Sequence, residues 1–233
     1  MDKRVCVVVG VGPGNGASIA RRFAQSGHAV ALLARSTAFT EALARTLGDA
    51  KAYACDVKSE NDVLATFKRV RDDIGDPDVL VYNAGSGIWG DFETTTPAEF
   101  ESAWRVNALG AFLAARQVVS AMKHRGSGAI ILIGATASRR GVARTAAFAP
   151  AKAAQHSLAE SMARHLWSAG IHVALVIVDG VVDLEQTRKA MPDKPDSFYV
   201  NPDDVAETVY WLSQQPRSAW TFEVEARPFG ESW

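Results

Sequence analysis

Apolar, β-branched runs recur along the chain at residues 4–9, 29–34, 52–55, 78–82, 129–133 and 171–178, each bounded by turn residues and short enough to be a strand. Within most of them the apolar residues are continuous, the pattern of strands covered on both faces. The intervening segments carry helical patterns with recognisable starts. Ser59 with Asp62 resembles a capping box, and Thr96, Pro97 and Glu99 supply an N-cap, an N1 proline and an N3 acid. A polar stretch over residues 185–201 precedes a short helix over Pro202–Gln214 and a final strand around residues 220–225. Strands alternating with helices predict an α/β protein: a Rossmann-type doubly wound parallel sheet of about seven strands with helices on both faces.

The 233 residues, 48% of them hydrophobic, suffice for one core, so a single domain over residues 1–233 is expected, with a lid and substrate region at about 184–214. A net charge of −1, with Lys and Arg dispersed, leaves no basic footprint for nucleic acid or an anionic membrane and points to a small-molecule partner. No apolar run approaches the roughly 18 residues of a membrane span. The first apolar run leads into glycines rather than a cleavage site, so the expected location is cytoplasmic. Cys6 and Cys55 read as core thiols. In a Rossmann order their strands lie two spacings apart, roughly 9–10 Å, beyond the reach of a disulfide. No cluster of His, Cys and carboxylates suggests a metal.

Candidate chemistry begins where the first strand meets a helix starting near Asn15. Gly10, Gly12, Gly14 and Gly16 crowd that junction. Such a turn needs positive φ and close backbone approach, and the free N–H groups of the helix start can hold a pyrophosphate. The spacing Gly10-x-x-x-Gly14-x-Gly16 resembles the turn of the short-chain dehydrogenases/reductases, and further landmarks of that family follow in order: Asp56-Val57 after the third strand, Asn83-Ala84-Gly85 after the fourth, and Asn107 in the long helix. The resemblance runs from about Arg4 to Val182. It implies a nicotinamide dinucleotide, with Asp56 at the adenine, Lys152 on the nicotinamide ribose, and Gly180 with the backbone of Val182 near the carboxamide.

Arg35 ends the second strand where NAD-preferring relatives carry an acid. With Ser36 beside it, a cation there suits a 2′-phosphate, so NADP(H) is expected over NAD(H), although Pro13 stands where many NADP-dependent relatives have a basic residue. A solvated loop charge is the other reading of Arg35.

The resemblance also implies a Tyr-x-x-x-Lys motif and a serine about thirteen residues before its tyrosine. This chain has Phe148 and Ala135 at those positions, while Lys152 is kept. A general acid contributes about 10² to 10⁴ in rate and an oxyanion donor about 10² to 10³. Losing both removes roughly four to seven orders of magnitude if they multiply. Thr136 is the nearest substitute donor. Ser138, His156 and Tyr199 are weaker ones, with His156 more in keeping with a surface or packing histidine. Asn107 either anchors a relay water or satisfies backbone in a distorted helix. Asp179 replaces the usual proline before Gly180, and the family's threonine a few residues on is not matched. Trp89, Phe92, Met191, Phe198 and Tyr199 read equally well as substrate lining and as core or partner contacts.

Two functions remain open at this level: an NADP-linked oxidoreductase of atypical mechanism, or a protein that binds the dinucleotide without catalysis. Relatives commonly form homodimers or homotetramers through the long helix after Thr96, the helix carrying Phe148 and the final strand, so a homo-oligomer is expected.

Overall fold

The structure is a computed structural model that describes residues 3–230. Met1, Asp2 and the last three residues of the aromatic tail lie outside the described residues. Among the described residues, nine strands form: β1 (Val5–Val9), β2 (Ala29–Ala34), β3 (Ala50–Ala54), β4 (Val79–Tyr82), β5 (Gly128–Ala135), β6 (Ile171–Val178), β7 (Val181–Val182), β8 (Tyr199–Val200) and β9 (Glu223–Ala226). Seven of them make one sheet in the order β3-β2-β1-β4-β5-β6-β9, with every pairing parallel.

The period of two along each strand divides the core. In β1, Val5, Val7 and Val9 enter one apolar layer with Tyr53, Phe67 and Met122, whereas Cys6 and Val8 enter the other with Ile19, Phe23 and Leu212. Helices α3 (Glu60–Ile74), α5 (Gly110–Arg125) and α6 (Phe148–Leu166) cover the first face; α1 (Asn15–Gln25), α2 (Ala38–Leu47) and α8 (Pro202–Gln214) cover the second. Among the described residues, no helix is long and apolar enough to cross a membrane. Both thiols are buried and free, and burial raises the pKa of each.

Several boundaries differ from the sequence reading. β3 starts at Ala50 and ends at Ala54, leaving Cys55 just outside it. Its Ala-Lys-Ala-Tyr-Ala pattern hides only Tyr53, which suits the sheet's edge. β5 runs on to Ala135 because β6 pairs with it residue for residue as far as Val178. The final strand is displaced toward the C-terminus and lies parallel to β6.

The polar stretch is not structureless either. It holds α7 (Glu185–Ala190) and β8, which pairs with β7. Thr96 completes its capping box with Glu99 at the start of α4 (Pro97–Trp104). Ser59 caps α3, but the Asp62 carboxylate accepts the N–H of Asp56 at 3.4 Å, so that box is half made.

Strand order reverses between β1 and β4. In such sheets the crevice beyond the strand C-termini at that point is the ligand position.

Candidate active site

A cleft of about 1030 Å³ opens at that reversal. Gly10, Gly12, Gly14, Asn15, Gly16, Arg35, Ser36, Asp56, Val57, Asn83, Ala84, Gly85 and Val182 all line it. The glycine turn owes its composition to crowding. Gly10 has φ of +88°, and a Cβ there would meet Ala84 backbone at 2.4 Å; one on Gly16 would meet the Gly10 carbonyl at 2.6 Å. A Cβ on Gly12, by contrast, would meet nothing within 4 Å, so the turn is open toward the cleft before α1. That cradle fits a dinucleotide pyrophosphate in size and donor chemistry. Asn83 braces the turn by donating Nδ2 to the Gly10 carbonyl at 2.7 Å. Asp56 braces the next loop by accepting the N–H of Lys58 at 3.0 Å.

Gly180 is not brought to the cleft. It is packed under Pro228 and Val200, each within 2.8 Å of where a Cβ would stand. Conversely, Lys58, Ser86, Ser102, Val106, Leu184 and Gln186 line the cleft without having been singled out in the sequence. Only Lys58 and Ser86 carried a signal, being next to Asp56-Val57 and to Asn83-Ala84-Gly85. Leu184 lies against Gly14, its Cδ2 2.7 Å from a Cβ position there. An apolar side chain therefore covers the turn where the family resemblance would ask for a threonine.

The residues expected from the family motif lie on and just after β5 and on α6, and none of them is among those that line the cleft. Lys152 is buried and donates Nζ to the Ile133 carbonyl at 2.8 Å and to Gln155 Oε1 at 3.0 Å. Burial lowers its pKa from the ordinary lysine value to about 7. The ammonium stands 3.8 Å from a Cβ position on Gly85, at the cleft wall. Asn107 lies in a π-helical turn, Arg105–Leu109, between α4 and α5. Its Nδ2 donates to the carbonyls of Ala103 at 2.9 Å and Ser86 at 3.3 Å, which is the backbone role. Its Oδ1 is buried without a protein partner, 3.5 Å from the same Gly85 position, which leaves an acceptor for water.

The substitute donors are engaged elsewhere. Thr136 donates its hydroxyl to the carboxylate of Asp179, which also pairs with Arg227 and has Arg140 at 3.8 Å. Ser138 is buried and its Oγ accepts the N–H of Ala135 at 3.1 Å. His156 contacts Glu223 at 2.5 Å, and Glu223 also pairs with Arg139. Tyr199 is buried in β8 and donates to the Met191 carbonyl at 2.7 Å. Phe148 has Trp89 as its aromatic neighbour, with ring centroids 5.8 Å apart and planes inclined at 42°. Phe92 is almost fully exposed.

A parallel sheet with a glycine-lined crevice at its order reversal defines a protein of the Rossmann-type α/β class. Within it, the short chain dehydrogenase family model matches residues 4–195, and the chain belongs to that family. It is 30% identical over 223 residues to the 3-oxoacyl-[acyl-carrier-protein] reductase MabA of Mycobacterium tuberculosis, covering 92% of this chain and 87% of that one. Against the 2-(R)-hydroxypropyl-CoM dehydrogenase of Xanthobacter autotrophicus it is 35% identical over 203 residues, 83% of this chain and 80% of the relative. A metagenomic short-chain oxidoreductase solved in complex with NADP superposes with a TM-score of 0.85 at 32% identity, over 99% of each chain. The chain is thus an oxidoreductase-family protein with a nucleotide-binding fold.

Proposed function

We propose that this protein is an NADP(H)-dependent oxidoreductase acting on a small molecule through a site that lacks the usual tyrosine and serine. The observation that carries the reading is the single cleft in which the bare glycine turn, Asp56 and Val57, the Asn83 to Gly85 segment and Val182 meet Arg35 and Ser36. The solved relative with NADP supports the same class of cofactor.

In this reading the turn and the start of α1 hold the pyrophosphate, and Asp56 and Val57 border the adenine. Arg35 and Ser36 receive the 2′-phosphate by charge-assisted hydrogen bonds. Lys152 donates to the nicotinamide ribose, and Val182 meets the carboxamide through its backbone. The cofactor supplies a hydride; the protein supplies orientation and exclusion of water. Asn107 Oδ1 holds a water beside Lys152.

Phe148 and Ala135 offer no proton, and Thr136 directs its own to Asp179. That arrangement also favours a second reading, in which the dinucleotide is bound without turnover as a structural or sensed ligand.

The two readings separate on NADPH oxidation with a panel of carbonyl and conjugated acceptors, run alongside Lys152→Ala and the double variant Phe148→Tyr/Ala135→Ser. Turnover that Lys152→Ala abolishes supports the enzyme. Tight cofactor binding with no turnover, and activity appearing only in the double variant, supports the binding protein.

A further inference from the structure

We infer that Tyr82 is a positioning residue for this site: its hydroxyl holds open the π-helical turn that brings Asn107 to Lys152. The inference rests on the reading above, in which Asn107 holds a water beside that lysine, and it adds a residue that does not itself line the cleft.

The turn over Arg105–Leu109 takes a wider step than the helices it joins. Arg105 N–H donates to the Glu101 carbonyl four residues back, whereas Gly110 N–H donates to the Arg105 carbonyl five residues back. Where such a turn passes back into an ordinary helix, the backbone ladder leaves a carbonyl over, and a buried carbonyl needs a donor from elsewhere. The Val106 carbonyl, inside this return, has one: Tyr82 Oη donates to it from the end of β4 at 2.5 Å. Asn107 Nδ2 serves a second carbonyl, that of Ala103 just before the turn, at 2.9 Å.

Tyr82 and its surroundings suit this one contact. The side chain is wholly buried in the apolar layer that also holds Val57 and Leu113. Burial raises the pKa of the phenol well above its ordinary value, so it stays a donor at neutral pH. The helix meets it with a glycine. A Cβ on Gly110 would overlap the Tyr82 hydroxyl and stand 2.9 Å from Val57 Cβ, so a larger residue there would drive the hydroxyl off the Val106 carbonyl.

The place of the turn decides what reaches the cleft wall. Asn107 Oδ1 is buried without a protein partner, 3.5 Å from a Cβ position on Gly85, and Lys152 Nζ is 3.8 Å from the same position. Ser102 and Val106 line the cleft from the same stretch of helix. At 3.6 residues per turn, moving the wide turn along the helix by one residue swings the residue it passes through about 100°. Asn107 would then leave Gly85. The Tyr82 bond fixes the register in which Asn107 faces Lys152, and it does so from the residue next to Asn83, which braces the glycine turn at Gly10. One strand end thereby sets two parts of the cleft.

The experiment compares the full chain with Tyr82→Phe, Gly110→Ala and the double variant, all without cofactor. Two signals are followed: amide hydrogen exchange of residues 105–110, and the titration of Lys152 by NMR of its ε-methylene, assigned by its loss in Lys152→Met. Tyr82→Phe should exchange about tenfold faster across the turn, with α1 unchanged. Its lysine should titrate about one pH unit below the wild-type value, because the ammonium loses the water that Asn107 holds. Gly110→Ala should behave alike. In the double variant the added methyl occupies the volume that the hydroxyl vacates, so Tm should recover while both signals stay at their single-variant values.

Unchanged exchange and titration in Tyr82→Phe overturn the proposal. Full recovery of both signals in the double variant also overturns it, since the hydroxyl would then only fill space. NADPH binding by the same proteins tests the underlying reading separately: wild type that binds none overturns the cofactor reading, while the two signals still decide the role of Tyr82.

Discussion

At the scale of single residues, the positions that were legible in the sequence are those whose chemistry is local. Gly10 and Gly16 were readable because only a residue without Cβ fits beside Ala84 and the Gly10 carbonyl, and that requirement produces a recognisable spacing. Arg35 was readable as a charge at a strand end. The engagement of Thr136 was not, because its acceptor Asp179 is 43 positions away and reaches it only through strand pairing.

Lys152 carries a testable consequence. Its folded pKa is about 7 against an ordinary value near 10.4, so between those two pH values the unfolded chain binds the proton and the folded chain does not. Stability contributed by this group therefore rises with pH across that window and is flat below it. Urea unfolding of wild type and Lys152→Met at pH 6, 8 and 9.5 should show the variant's advantage greatest at pH 6 and shrinking as pH rises. A constant difference would mean that burial does not hold the lysine down.

At the scale of elements, the strands and the principal helices followed from apolar runs and caps, but the joints between them did not. The π-helical turn at Arg105–Leu109 that presents Asn107 has no local sequence signature, since it depends on what packs against it. The β7–β8 pair and α7 were hidden in a stretch that reads only as polar. The extension of β5 to Ala135 required β6 as a partner.

The C-terminal ends of β5, β6 and β9 are joined through Thr136, Asp179 and Arg227, with Asp179 almost wholly buried. Removing one member of a buried ion pair costs about 3 kcal/mol or more, whereas loss of a single hydroxyl bond costs about 1 kcal/mol. Asp179→Ala should thus destabilise the fold by about 3 kcal/mol in equilibrium unfolding, and Thr136→Val by about 1 kcal/mol. Equal small losses would show that this network does not hold the strands together.

At the scale of the whole molecule, the fold class was readable because alternation of buried strands with helices admits few topologies. An assembly state would depend on surface chemistry instead. Phe100 and Trp104 on α4 and Phe112 on α5 each leave more than two fifths of their surface exposed, apolar area that a second copy of the chain would cover. We propose a homodimer or homotetramer in solution. Light scattering at micromolar concentration should give at least twice the 25.0 kDa chain mass, falling toward it in Phe112→Glu. A monomer in both would contradict this.

In the proposed reading, the cleft at the sheet's order reversal takes NADP(H), with Arg35 on the 2′-phosphate. This is tested most directly by titrating NADPH and NADH separately into the purified protein and into Arg35→Ala, following nicotinamide fluorescence and Tm. NADPH should bind more tightly than NADH and raise Tm. Arg35→Ala should lose roughly tenfold to a hundredfold in NADPH affinity, from one charge-assisted hydrogen bond, with little change for NADH. Equal affinity for the two dinucleotides, unaltered by the substitution, would contradict the role of Arg35, and binding of neither would contradict the assignment of the cleft.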